Sequence, residues 1–221
     1  MGCGWYRESY YRAESRLDRR PVADLADELL AEISDGVGPE HIRPGVIGEI
    51  GSEKTWVSPV EERVLRAAAR VQRASGLALG AIHAIGPVAP YQLTIIEDEG
   101  ADMTRVAVGH CETMPYLGYL SDLLARGVYI VFDNCGQYRN LGQFEDDIVD
   151  LIRRLLDAGH EKRILLSHDV CKFPQFKRHG GPGFTYIAET FLPKLRAAGV
   201  PDASLATMTR ENPARWLAGG A

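Results

Sequence analysis

Five short runs rich in apolar and β-branched residues punctuate this chain: Gly45 to Ile50, Leu77 to Ala84, Arg105 to Cys111, Val128 to Asp133 and Arg163 to Asp169. Each carries near its end a residue fit for metal chemistry: Glu49, His83, His110 and Asp169, with Asp133 as a fifth and weaker case. Segments of helical period separate the runs, and that alternation is the signature of repeated βα units. A parallel barrel gathers the carboxyl ends of its strands around one mouth, so residues distant in sequence can converge there.

The intervening segments support this reading. Val60, Val64, Ala67, Ala68 and Val71 fall on one helical face, as do Ile148, Leu151, Ile152 and Leu155. Ser58 followed by Pro59 fits a helix start, and Glu61 and Glu62 suit its positive end. Further helices are expected at Val22 to Ser34, Tyr91 to Glu99, Leu117 to Arg126, Phe184 to Ala198 and near Pro213 to Leu217. Gly76, Gly100, Gly127 and Gly159 stand where a helix should stop before the next strand. The rhythm extends over residues 1–218 as one domain, with 219–221 as a tail.

Parallel strands buried on both faces can form an open doubly wound sheet or a closed barrel. An open sheet of that kind would carry a glycine-rich phosphate loop, and neither GxGxxG nor GxxxxGK[ST] is present. Ligand-type residues at several strand ends favour the barrel.

The 221 residues, 45% hydrophobic and 25% charged, suffice for a sizeable core. A formal charge of -5 without any block of like charges argues against nucleic acid as a partner. Cys3, Cys111, Cys135 and Cys171 show no CxxC spacing, and no signal-like apolar stretch follows a basic start. No run approaches the roughly 20 apolar residues of a membrane span. A cytoplasmic protein without a membrane partner is expected.

Singly, each candidate has a bland alternative. His83 or His110 could be a hydrogen-bonded core histidine. Glu49 and Asp169, in otherwise apolar strands, need a cation, a hydrogen-bond network or a solvated mouth to offset the cost of burial. Four such residues at four strand ends fit one site better than four accidents. Imidazole and carboxylate donors suit zinc and similar divalent ions.

At these residues the chain resembles the phosphotriesterase family of the amidohydrolase superfamily, in its branch of phosphotriesterase-related proteins and lactonases. The motifs are Gly2-Cys3-Gly4-Trp5-Tyr6-Arg7-Glu8, Gly45-Val46-Ile47-Gly48-Glu49-Ile50-Gly51, Val108-Gly109-His110, Ile164-Leu165-Leu166-Ser167-His168-Asp169 and Glu211-Asn212-Pro213-Ala214-Arg215. The resemblance implies an α/β fold, a (β/α)8 TIM barrel of the metal-dependent hydrolase type. It also implies a binuclear divalent centre, usually zinc. Glu49 matches the bridging carboxylate, His83 and His110 match the ligands of the more exposed metal, and Asp169 matches the aspartate on the buried metal.

One part of the pattern is missing. The family also holds the buried metal with a His-x-His pair, but His41, His83, His110, His160, His168 and His179 include no two residues two apart. The opening Gly2 to Arg7 resembles the end of the family's third strand, so the first two strands and part of the third are expected to be absent. A whole barrel takes about 250 residues. An incomplete one leaves unpaired edges, which predicts low stability or association, for instance as a homodimer.

For a complete enzyme the resemblance implies hydrolysis of an ester-like bond in a lactone, carboxylic ester or phosphoester. A metal-bound hydroxide would attack, and Asp169 would orient it and carry its proton. The alternative is an inactive barrel remnant binding one metal or none; a metal-free isomerase or lyase with Glu49 as base ranks lower. Strand alternation points His168 away from Asp169, toward a structural role. Asp133 either contacts substrate or caps its loop. The segment from Val170 to Gly183 resembles the family's substrate-covering loop, with a solvated basic turn as the other reading. Tyr6 and Arg7 could line the pocket or pack near the chain's start, and neither is assigned a catalytic role.

Overall fold

The computed structural model describes residues 1–138 and 144–218, so the expected tail at 219–221 lies outside the described residues. These residues group into two compact units. The first holds Met1–Gly109, Arg126–Tyr129 and the end of the chain from Arg215; the second holds His110–Ala125 and Ile130–Ala214.

The first unit runs through β1 (Gly2–Cys3), α1 (Val22–Asp35), β2 (Val46–Ile47), α2 (Pro59–Ser75), β3 (Leu79–Ile82), α3 (Ala89–Asp98) and β4 (Val106–Val108). Its strands pair in chain order, each parallel to the next. Gly2 stands opposite Val46, Ile47 opposite Leu79, and Ile82 opposite Val108. Helix α2 begins as its sequence dictates. Ser58 Oγ accepts from the Glu61 N–H while Glu61 accepts from the Ser58 N–H, and Pro59 fills the first position. It stops at Gly76, whose φ of 69° is left-handed. Leu25 and Leu29 of α1, Val64, Leu65 and Val71 of α2, and Ile47, Leu79 and Ile82 of the strands are buried in the core.

Close strand contact depends on small residues here. A side chain at Gly80 would meet the Trp216 ring at 2.6 Å, and Trp216 Nε1 donates to the Arg105 carbonyl at 3.1 Å.

The second unit contains α4 (Leu117–Ala125), most of β5 (Tyr129–Phe132), α5 (Glu145–Asp157), β6 (Ile164–Leu166), α6 (Leu192–Ala197), α7 (Asp202–Ala206) and the start of α8 (Asn212–Ala218). β5 and β6 pair in parallel from Ile130 with Ile164 to Phe132 with Leu166. Ile148, Leu151, Ile152 and Leu155 of α5 are buried, as their spacing predicts. Tyr138 and Phe191 are buried with ring centroids 6.0 Å apart.

The five expected strand runs all contain strands, though shorter than the apolar runs. The expected helix at Phe184 to Ala198 proves to be a wide π-turn over Ile187–Phe191 followed by α6. Helix α7 and the π-turn after it, Thr207–Glu211, are absent from the sequence reading. Among the described residues, no helix is long and apolar enough to cross a membrane.

Candidate metal centre

In the first unit the candidate residues lie just beyond paired strand ends. β2 pairing stops at Ile47, and the backbone continues through Gly48 to Glu49 and Ile50. The Ile50 carbonyl accepts from the His83 N–H at 2.7 Å, and the His83 carbonyl accepts from Ser52 N–H at 3.1 Å. Two glycines permit this approach. A Cβ at Gly48 would fall 1.9 Å from the Gly80 carbonyl oxygen, and one at Gly51 would fall 2.4 Å from the His83 oxygen. Gln92 Nε2 also donates to the His83 carbonyl, at 2.9 Å, and fixes the segment from α3.

His83 is buried, whereas the Glu49 side chain remains 35% exposed. Glu49 Oε1 lies 3.3 Å from His83 Nδ1, and Tyr6 Oη lies 3.1 Å from the same nitrogen. Arg7 Nη1 stands 3.2 Å from His83 Nε2. A guanidinium can only donate, so this contact makes Nε2 the lone-pair nitrogen and Nδ1 the N–H. That lone pair already faces a positive group beside a carboxylate, an arrangement that also suits a metal ion. The partly exposed Glu49 carboxylate avoids the full cost of burial.

In the second unit His110 adopts a left-handed conformation, φ 55°, at the start of a short helical turn. Its backbone N–H faces both Asp133 carboxylate oxygens, at 3.1 and 3.0 Å, and its Nδ1 is 2.7 Å from Asp133 Oδ1. A carboxylate oxygen this close is an acceptor, so Nδ1 carries the proton and Nε2 is again the nitrogen suited to a lone pair. A carboxylate behind a histidine in this way is the usual support for a metal-binding imidazole. Asp133 Oδ1 also accepts from Asn134 Nδ2 at 3.1 Å, so this carboxylate holds both His110 and the start of its own loop.

Next to this pair sits a residue that the sequence did not single out. Glu112 is fully buried, with Oε1 accepting from Asn134 Nδ2 at 2.5 Å and Oε2 without a hydrogen-bond partner. Burial, then the negative charge of Asp133, pushes its carboxyl up to about 8, while Asn134 and His110 pull it down. One ligand-type atom from each of His110, Glu112 and Asp133 lies within 4.8 Å of the others. The only sequence signal was an acid two residues after a candidate histidine.

Asp169 follows β6 with a left-handed φ of 41°. Its backbone oxygen accepts from Gln137 Nε2 at 3.2 Å, and the His168 carbonyl accepts from the same amide at 2.5 Å. His168 Nε2 donates to the Phe184 carbonyl at 3.0 Å, a structural bond. Beyond it the 170–183 segment packs on itself: Phe173 stacks on His179 at 3.9 Å, and Gln175 Oε1 accepts from the Cys171 and Lys172 N–H groups. The structure therefore joins Glu49 with His83 in one unit, and in the other joins His110 with Asp133 and anchors the backbone at Asp169.

Comparison with known proteins adds an independent line. The model of the phosphotriesterase family matches residues 1–217. The phosphotriesterase homology protein of Escherichia coli is 30% identical over 214 residues, covering 97% of this chain and 72% of that protein. Its crystal structure, in complex with phosphate in the active site, gives a TM-score of 0.92 over 98% of this chain and 73% of its own. The N-acetyltaurine hydrolase of Bos taurus is 30% identical over 227 residues, 98% of this chain and 64% of that enzyme. A mutant PTE-like lactonase from Deinococcus radiodurans is 27% identical with a TM-score of 0.82, over 98% of this chain and 71% of its own. This chain thus spans about two thirds to three quarters of these relatives. The parallel βα architecture is that of their TIM barrel, with six strands among the described residues.

Proposed function

Because the chain belongs to the phosphotriesterase family, we propose that it is a metal-dependent hydrolase of small carbonyl or phosphoryl substrates. Relatives named as an N-acetyltaurine hydrolase and a PTE-like lactonase support hydrolysis in general, with an amide or an ester-like bond as the target. Glu49 and His83 in the first unit, and His110 and Asp169 in the second, would each supply a ligand to a divalent metal, zinc by the family resemblance, the histidines through Nε2. Asp169 would take the proton of the attacking water and release it to solvent. When bound, the ion supplies Lewis acidity toward the substrate oxygen and a nucleophile near neutral pH.

One observation carries this reading. Both strand-end histidines turn Nδ1 to a carboxylate, Glu49 at 3.3 Å and Asp133 at 2.7 Å. That arrangement reserves Nε2 and raises ligand basicity.

A second reading, a non-catalytic barrel binding one ion or none, is favoured by the absence of any His-x-His pair in the sequence. Elemental analysis combined with a hydrolysis screen separates the two. The screen would present a lactone, a phosphotriester and an N-acyl amine to the purified chain, with and without chelator. Stoichiometric metal and turnover abolished by chelator are expected. Metal-free protein without turnover would leave only the non-catalytic reading.

A further inference from the structure

The guanidinium that faces His83 is built in more firmly than a surface arginine. Arg7 lies 4.9 Å from the Tyr6 ring centroid and 5.2 Å from that of Tyr10, and the two rings are themselves 5.0 Å apart. Cation–π contacts of this kind hold the group's plane and stem. On its other side Arg7 Nε lies 3.3 Å from Glu53 Oε2, close enough for an ion pair. The alignment is too poor for a hydrogen bond, so this buried Nε–H has no hydrogen-bond partner. Glu53 also accepts from Ser9 Oγ. Arg7 therefore keeps its charge, an orphan donor and one N–H aimed at the His83 lone pair.

Two cations cannot share that lone pair. If a metal ion takes His83 Nε2, Arg7 Nη1 must leave it, while the tyrosines and Glu53 keep the guanidinium close by. The local charge then changes sign. One guanidinium against the Glu49 and Glu53 carboxylates leaves an excess of one negative charge, which a divalent ion converts to an excess of one positive charge. Planar N–H donors released beside a cation suit an oxyanion, which arginine binds in charge-assisted pairs.

We propose that Arg7 is a specificity-determining residue that binds an oxyanion of the substrate, a carboxylate, sulfonate or phosphoryl group, once a metal ion has displaced it from His83. The assignment rests on the metal-dependent reading above and adds the substrate's charge to it.

The test measures binding of inorganic phosphate by calorimetry to the zinc-loaded full chain, as wild type, Arg7→Met and Arg7→Lys, with metal content measured on each sample. Loss of one charge-assisted contact should weaken phosphate binding about 10- to 100-fold in Arg7→Met at unchanged metal content. Arg7→Lys, which keeps the charge but loses the fork, should fall between the two and also serves if Arg7→Met does not fold. Equal phosphate affinity in wild type and variants, or no binding to wild type, overturns the proposal. Loss of metal together with phosphate also overturns it, because Arg7 would then only position His83. A wild type that takes no zinc refutes the metal reading and removes the displacement step with it; zinc uptake with Arg7-independent phosphate affinity refutes Arg7 alone.

Discussion

His83 and His110 present the same chemical face but are held in opposite ways. His83 is itself buried but is flanked by a partly exposed carboxylate and a cation, Glu49 and Arg7. His110 is clamped by a buried carboxylate through both its backbone and its ring, with a second buried acid beside it. With both imidazoles buried, the difference lies in their supporting carboxylates, Glu49 partly exposed and Asp133 buried. One imidazole is oriented by groups that can exchange partners, the other by groups that cannot move without exposing unpaired polar atoms.

Asp133→Ala strips the His110 N–H and Nδ1 of their shared buried acceptor and should cost about 3 kcal/mol of stability. Glu49→Ala, at an exposed side chain, should cost less than about 1 kcal/mol. Urea unfolding of both variants checks this, and equal losses would erase the distinction between the two histidine environments.

The buried acid beside His110 also makes stability depend on pH. Glu112 has its folded value raised from 4.5 to about 8. The folded state therefore holds a proton that the unfolded chain releases. Its stabilising contribution is full below about pH 4.5 and is lost as the pH rises through about 8, by up to about 1.4 kcal/mol per unit. Urea midpoints of the chelated protein between pH 5 and 9 should show this slope, and Glu112→Gln should flatten it. An unchanged slope in the variant would mean that Glu112 ionises normally.

These two environments were unequally legible in the sequence. The order of βα units, the start of α2 at Ser58-Pro59 and its stop at Gly76 follow from local spacing and turn chemistry, which act over a few residues. The ligand-type residues stood out because apolar strands rarely tolerate them. Glu112 did not, since Cys111-Glu112-Thr113 looks like a polar turn until Asp133 and Asn134, more than 20 residues away, enclose it. The Arg7 contact spans 76 residues and has no local signature. Helix α7 was missed because it is short and runs straight into a π-turn that disturbs helical period.

The proposed metal role requires Nε2 of both histidines to carry the lone pair, and imidazole nitrogen NMR of the uniformly labelled chain reads this out. Nδ1–H tautomers are expected for His83 and His110 at neutral pH, with both Nε2 resonances shifting as zinc is added. An Nε2–H tautomer at either residue, or Nε2 signals that ignore zinc, would contradict it.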